Sequence, residues 1–330
     1  MHRLWKKRYG NRGGGDKYYI DCSHYAENSD SIEVKSLLQY ISDKNVSILE
    51  AVAKDETINS KYRHIVVKIG ESNSITKTEY DNGEILKNLN GFIKYICLFS
   101  CFDDTSDKLK NTKPKSRRIS LQNEAVLPKE TKICNAEKID ENIKDVLVMP
   151  YIKEGPIEKY NWTSENVDIL KNLMIHTVLS MAVAFKSVGF IHQDLHLSNI
   201  LLKKVNKNEK KEIRYEFSQD VIINVPIMGY KIVIMDFEKG KLNTNDVYYF
   251  WDGLHHALKD IDGMVNTQNQ KVYWKEENQI ISFIKKMRED RMPLRNVFKL
   301  VDDIKNSTLT IKDTNPPLTY NANDIFDFST

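Results

Sequence analysis

Apolar and polar positions change rhythm along this chain, and the changes mark its elements. Ser36–Ser42 and Ser47–Ala53 carry strand patterning on either side of the polar bend Asp43-Lys44-Asn45, and His64–Ile69 (HIVVKI) is a compact β-branched run. Thr78–Leu89 then shows helical spacing through Ile85, Leu86 and Leu89. Phe92–Phe102 (FIKYICLFSCF) and Val146–Ile152 (VLVMPYI) return to strand texture. Between those two runs, Asp103–Glu141 is polar and lysine-rich with little periodicity, which predicts a long surface insertion.

The second half opens with a long helical stripe through Ile169, Leu170, Leu173, Val178, Met181 and Phe185. Thr163-Ser164-Glu165 offers N-cap chemistry before it, and Gly189 stands where a C-cap glycine belongs. Short strands follow at Ile200–Val205, Glu212–Phe217, Val221–Val225 and Tyr230–Met235. From Asp246 onward the pattern is mostly helical, clearest at His255–Ile261, Gln279–Arg288 and Leu294–Ile304. The expected organisation is a flexible basic, glycine-containing arm over residues 1–30, a strand-rich part over 31–152 that carries the insertion 103–141, and a mainly helical part over 153–330. The expected fold class is α+β.

Composition narrows the picture. The chain has 330 residues, 41% apolar and 29% charged, with 13 Gly and 8 Pro, which excludes collagen-like, disulfide-scaffold and globally disordered classes. Lys+Arg number 49 against 46 Asp+Glu, and a net charge of +3 gives no general argument for a membrane or nucleic-acid partner. No run of about 18 consecutive apolar residues is present, so no membrane span is expected. The basic start Met1–Tyr9 lacks a following apolar run, so no secretory signal is expected and an intracellular location is. Cys22, Cys97, Cys101 and Cys134 match no zinc spacing and are expected to be buried reduced thiols. Arg117-Arg118-Ile119-Ser120 has the spacing of a basophilic phosphorylation tetrad, a pattern common by chance.

Chemistry concentrates in Phe190–Leu202 (FIHQDLHLSNILL). It sets His192, Asp194, His196 and Asn199 on a polar turn between a long helix and an apolar strand. An acid followed five residues later by an amide suits phosphoryl transfer: one side chain orients a hydroxyl and accepts its proton while the other helps hold a metal. Farther on, YKIVIMDFEKG ends an apolar strand on Asp236-Phe237-Glu238, and upstream Lys68 ends HIVVK as a single cation among apolar neighbours. In isolation Lys68 reads as a strand lysine reaching solvent; beside the other two motifs it reads as a site residue.

These segments resemble the protein-kinase superfamily, and within it the divergent serine/threonine kinase-like proteins of large DNA viruses. HQDLHLSNILL is similar to the catalytic loop H-x-D-L-x-x-x-N, MDFE stands where the family has DFG, and VVK where it has its strand lysine. The likeness runs from about Leu37 to about Asp260 and implies a two-lobed fold and an ATP- and Mg²⁺-dependent phosphotransferase acting on a protein hydroxyl. It implies that Asp194 is the catalytic base or hydroxyl-orienting acid and that Asn199 and Asp236 hold Mg²⁺. Lys68 would grip the nucleotide phosphates, steadied by Glu79 or, alternatively, Glu84. Met149 would line the adenine pocket and Pro150-Tyr151-Ile152 would form the hinge. Asp252 would bond the catalytic-loop backbone, and His192 would be structural.

The sequence departs from that pattern in four places. The bend Ser42–Val46 has no glycine where the family has a glycine-rich loop, and glycine lets backbone N–H groups approach phosphates. His196 replaces a catalytic lysine, a change shared with aminoglycoside and choline kinases. Glu238 replaces the glycine of DFG, and only 16 positions separate Asp236 from Asp252, with no A-P-E between them. A small-molecule kinase and a pseudokinase scaffold therefore stand as alternatives. All of Lys68, Asp194, Asn199 and Asp236 are present, which favours a catalyst.

Overall fold

Alternation in the first third of the chain builds one antiparallel sheet. The computed structural model describes residues 31–41, 46–54, 63–71, 74–102, 133, 143–206, 208–266, 268–275 and 277–313. The expected arm over 1–30, the core of the glycine-free bend, the phosphorylation tetrad and nearly all of the insertion lie outside those residues. The sheet comprises β1 (Ile32–Ile41), β2 (Val46–Ala53), β3 (His64–Glu71), β4 (Cys97–Phe102) and β5 (Ile143–Pro150), in the order β1-β2-β3-β5-β4. Along β2 every second residue is buried, so one face packs on the core through Leu49, Ala51 and Ala53. Strands β3 and β5 sit centrally and are buried almost throughout, which is why both read as unbroken apolar runs. Their register sets Lys68 opposite Leu147 and Val66 opposite Met149.

Helix α1 (Ser74–Leu86) follows β3, starting and ending earlier than the periodicity suggests. Gly83 is required on it: a Cβ there would lie 2.2 Å from the Tyr95 ring. The run Phe92–Phe102 is not one strand. Its second half is β4, whereas the first half docks on a later strand, with Ile93 N–H donating to the Ile234 carbonyl at 2.9 Å and Ile234 N–H to the Gly91 carbonyl at 2.7 Å. Its apolar residues serve two different cores, so a single local pattern spans a chain that turns.

Helix α2 (Val167–Val188) is terminated as expected, with Gly189 left-handed at φ 61° and its N–H on the Ala184 and Phe185 carbonyls. Its N-cap is Asn166, not Thr163 or Ser164; the Asn166 side chain instead accepts the Thr163 N–H at 2.7 Å. Among the described residues α2 is long and apolar enough to cross a membrane by length and composition, yet 78% of that window is buried inside the protein. It forms the centre of the larger core, packed by α5 (Val297–Asn306) and by the ladder of β6 (Ile200–Lys204) with β9 (Tyr230–Ile234). A hairpin of β7 (Glu212–Glu216) and β8 (Ile222–Pro226) leans on α2, where buried His176 bonds the Tyr215 hydroxyl at 2.8 Å and the Pro226 carbonyl at 3.1 Å.

Helices α3 (Val247–Lys259) and α4 (Glu277–Glu289) complete the helical part, with Asp246 capping α3 through the Tyr248 N–H at 3.0 Å. Between them runs β10 (Gln270–Trp274), paired with the final strand β11 (Leu309–Asp313), a two-stranded ladder that the pattern did not announce. The architecture is mixed α+β. The expectation of reduced thiols is overturned at Cys97 and Cys101, both of which are disulfide-bonded; four residues apart on one extended strand, they are too distant to bond each other.

Because the Tyr95 ring fills the space a methyl group would need, Gly83→Ala is expected to destabilise the protein by roughly 1–3 kcal/mol despite the higher helix propensity of alanine. Chemical denaturation should register that loss. A neutral or stabilising outcome would mean that Tyr95 is not held against α1.

Candidate active site

Three elements bring one cation and three anions together. Lys68 lies on β3 and is 9% exposed. Its Nζ stands 2.7 Å from Glu79 Oε2 on α1, 3.0 Å from Asp236 Oδ1 and 3.5 Å from Glu238 Oε2, the last two just beyond β9. The carboxylate oxygens of Glu79, Asp236 and Glu238 lie within 4.8 Å of one another. Glu84 pairs instead with Lys87, at 2.6 Å, so the helix glutamate facing Lys68 is Glu79. Burial alone would push the Lys68 ammonium down, but the charges of Glu79 and Asp236 outweigh it and hold its pKa above the usual lysine value. Burial pushes the Glu79 carboxyl up, opposed by Lys68 and by the Tyr95 hydroxyl, which donates to Oε1 at 2.7 Å.

A cage of side chains keeps the Asp236 segment in place. Asn82 on α1 donates to the Phe237 and Gly240 carbonyls at 3.0 and 3.1 Å. Phe237 is fully buried among Phe92, Tyr95, Phe190 and His192, with ring centroids 5.7–6.0 Å away. Asp236 itself has φ 65°, and Gln193, just before Asp194, has φ 59°. Left-handed backbone at non-glycine residues costs roughly 1–3 kcal/mol each. Both outliers abut acids of the site, where they set the direction of a carboxylate.

The catalytic-type loop joins this segment through the β6–β9 ladder, whose end places Met235 N–H on the Asn199 carbonyl at 3.0 Å. His192 is structural, as expected: it is 1% exposed, and Nε2 donates to the Met235 carbonyl at 2.8 Å. Burial holds its pKa below the usual histidine value. Asn199 Nδ2 donates to the Asp194 carbonyl at 3.0 Å and lies 3.0 Å from His196 Nε2. The first contact fixes which amide atom is nitrogen, and an amide nitrogen only donates. His196 Nε2 therefore faces the Asn199 amide as its acceptor. The Asp194 carboxylate meets Lys239 Nζ at 2.8 Å.

Other expectations fare differently. Met149 is buried, and the Tyr151 N–H donates to the His64 carbonyl at 3.3 Å while the Ile152 carbonyl accepts the Gly155 N–H at 3.1 Å. Asp252 pairs with Arg288 at 2.9 Å, and also lies 3.7 Å from His256, rather than bonding the loop backbone. Asp260, at the end of α3, takes up a place near the loop: burial pushes its carboxyl up, against the pull of His196 and the Leu197 N–H. Together with Glu158, Ser198, Met264 and Val265 it lines a cavity of about 470 Å³ beside His196. Tyr95, Asn82, Lys239 and Asp260 were not singled out by the sequence pattern. Lys239, three residues past the metal-type aspartate, is the one that its position could have flagged.

No family model matches the chain. Over 96 residues it is 31% identical to the serine/threonine-protein kinase haspin of Mus musculus, covering 29% of this chain and 12% of that kinase. Over 109 residues it is 28% identical to the haspin homolog of Arabidopsis thaliana, covering 33% of this chain and 18% of that protein. An uncharacterized protein of Invertebrate iridescent virus 6 is 23% identical over 277 residues, 71% of this chain and 45% of the other. The chain thus spans less than half the length of each of these relatives. It is kinase-like, with a viral relative.

Removing the single ammonium leaves three facing carboxylates. Lys68→Met is expected to destabilise the protein by roughly 3–5 kcal/mol at pH 7, the usual effect of stripping one partner from a buried pair. The folded-state pKa of Glu79 is already raised and would rise further in the variant. Such a group binds its proton more tightly when folded, so stability is present below its unfolded value and lost as pH rises through the folded one. The deficit of Lys68→Met should therefore shrink as pH falls from 7 toward 4. A deficit that is independent of pH in denaturation curves would contradict this electrostatic picture.

Proposed function

We propose that the protein is an ATP- and Mg²⁺-dependent phosphotransferase, a serine/threonine protein kinase transferring the γ-phosphoryl group to a protein hydroxyl. The observation that carries this reading is the meeting of Lys68 with Glu79 and Asp236, 168 positions away in sequence. Kinase-named relatives support it. In this reading residues 31–152 and 153–330 are two lobes of one domain, with the nucleotide between them.

Each residue then has a task set by its surroundings. Lys68 stays charged at all physiological pH and presents its ammonium to the nucleotide phosphates, while Glu79 and Tyr95 hold its orientation. Met149, Tyr151 and Ile152 flank the adenine; the Ile152 N–H has no partner among the described backbone bonds and is the donor available to it. Asp236 and Asn199 would hold Mg²⁺. The donor set fits a hard cation: Asn199 has its amide nitrogen tied to Asp194 and His196, which leaves its carbonyl oxygen, and Asp236 offers carboxylate oxygen. When bound, the cation would neutralise charge on the phosphate oxygens.

Asp194 orients the acceptor hydroxyl and takes its proton. The hydroxyl oxygen forms a bond to the γ-phosphorus, the bond from that phosphorus to the β–γ bridging oxygen breaks, and ADP leaves with the electron pair. His196, a candidate for catalysis by its position in the loop, has its Nε2 taken up by the Asn199 amide at 3.0 Å. A histidine rather than a lysine at this position is the observation that keeps the small-molecule reading as an alternative, because D-L-H resembles the aminoglycoside and choline kinases.

Mg·ATP is expected to raise the melting temperature of wild type, and Asp236→Ala to abolish the shift. Radiolabel from γ-labelled ATP should pass to the protein itself or to a generic basic protein. Asp194→Asn should lower that transfer by about 10²–10⁴-fold while leaving the thermal shift intact. Label on small hydroxylated molecules alone would replace the protein substrate by the alternative. No shift and no transfer would leave a scaffold.

A further inference from the structure

Resting on the phosphotransferase reading, we propose that Lys239 is the cation that faces the transferred phosphoryl group, beside a loop that carries His196 and no lysine two residues after Asp194. His196, the loop's own candidate, has its Nε2 engaged by the Asn199 amide at 3.0 Å. An ammonium reaches Asp194 from another segment: Lys239 Nζ lies 2.8 Å from Asp194 Oδ2.

The backbone under Lys239 is pinned while its side chain is not. Asn82 bonds the carbonyls of Phe237 and Gly240, on either side of Lys239, and the Gly240 N–H closes a turn on the Phe237 carbonyl at 3.0 Å. The Lys239 side chain is 51% exposed and that of Asp194 30%. An ion pair this open is screened and exchangeable, so the ammonium can leave one oxygen of Asp194 for a phosphate oxygen without dismantling anything. Lys239 changes no protonation state in the step: the acceptor proton goes to Asp194, the leaving electron pair to ADP, and the lysine keeps its three protons while donating to the oxygens on which charge builds.

Its position suits this task better than a purely structural one. A lysine needed only to neutralise Asp194 could stand anywhere around it. This one projects from the same rigid segment as the candidate metal ligand Asp236, so nucleotide, metal and cation would be registered by one stretch of backbone.

The test compares Lys239→Met, Lys239→Arg and the double variant Lys239→Met/His196→Lys with wild type, using Mg·ATP and a generic basic acceptor protein. Lys239→Met should lower kcat roughly 10²-fold, the size associated with losing one charge-stabilising donor, while the Mg·ATP thermal shift stays at the wild-type value. Lys239→Arg should retain most of the activity, and the double variant should recover about tenfold or more over Lys239→Met, because an ammonium has been returned to the loop. A Lys239→Met protein with wild-type kcat, a loss confined to nucleotide binding, or a double variant without recovery would each overturn the assignment. If wild type binds no Mg·ATP and transfers no phosphate, the parent reading falls and this one with it; an active wild type indifferent to Lys239→Met retires Lys239 alone.

Discussion

An ammonium can be taken out of water only where anions replace the hydration it loses, and the fold is organised around that demand at Lys68. Strand β3 carries the lysine inward, α1 brings Glu79, and the turn after β9 brings Asp236 and Glu238. Three carboxylates around one ammonium leave an excess of negative charge, a condition that favours a further cation and disfavours bare phosphate. In the proposed function, divalent metal would be what offsets that excess when a nucleotide enters.

The supporting residues explain how so polar a cluster survives in the interior. Tyr95 spends its hydroxyl on Glu79, and its ring both occupies the space above Gly83 and packs edge-on against Phe237. Asn82 satisfies two carbonyls of the segment that bears Asp236. The Glu79 carboxylate and the Phe237 and Gly240 carbonyls are thus bonded while aromatic rings pack around them, the combination that keeps electrostatic interactions strong. Helix α1 is the common support: Glu79, Asn82 and Gly83 are consecutive contributions of one helix to one site.

Much of this was legible in sequence where local pattern and tertiary role coincide. Strand β2 announces itself by alternation and β3 and β5 by buried apolar runs, Gly189 ends α2 as its position predicts, and Asp194, Asn199 and Asp236 stood out as candidates through the loop and strand-end motifs. Legibility failed where the deciding partner is remote. Phe92–Phe102 looks uniform but divides between β4 and β9, and Asp252 turns to Arg288 because that guanidinium arrives from α4. Strands β10 and β11 are too short and too far apart to be read as a pair, and the disulfide bonding of Cys97 and Cys101 is a matter of tertiary proximity. The contact of His196 with the Asn199 amide likewise depends on a side-chain orientation that sequence does not carry.

The most direct measurement of the central claim is a crystal structure with Mg²⁺ and a non-hydrolysable ATP analogue. The account predicts phosphate oxygens about 2.7–2.9 Å from Lys68 Nζ, the range of a charge-assisted bond, with the Glu79 contact retained and the cation on Asp236 and Asn199 oxygens. A nucleotide bound elsewhere, or one whose phosphates leave Lys68 bound only to its three carboxylates, would contradict it.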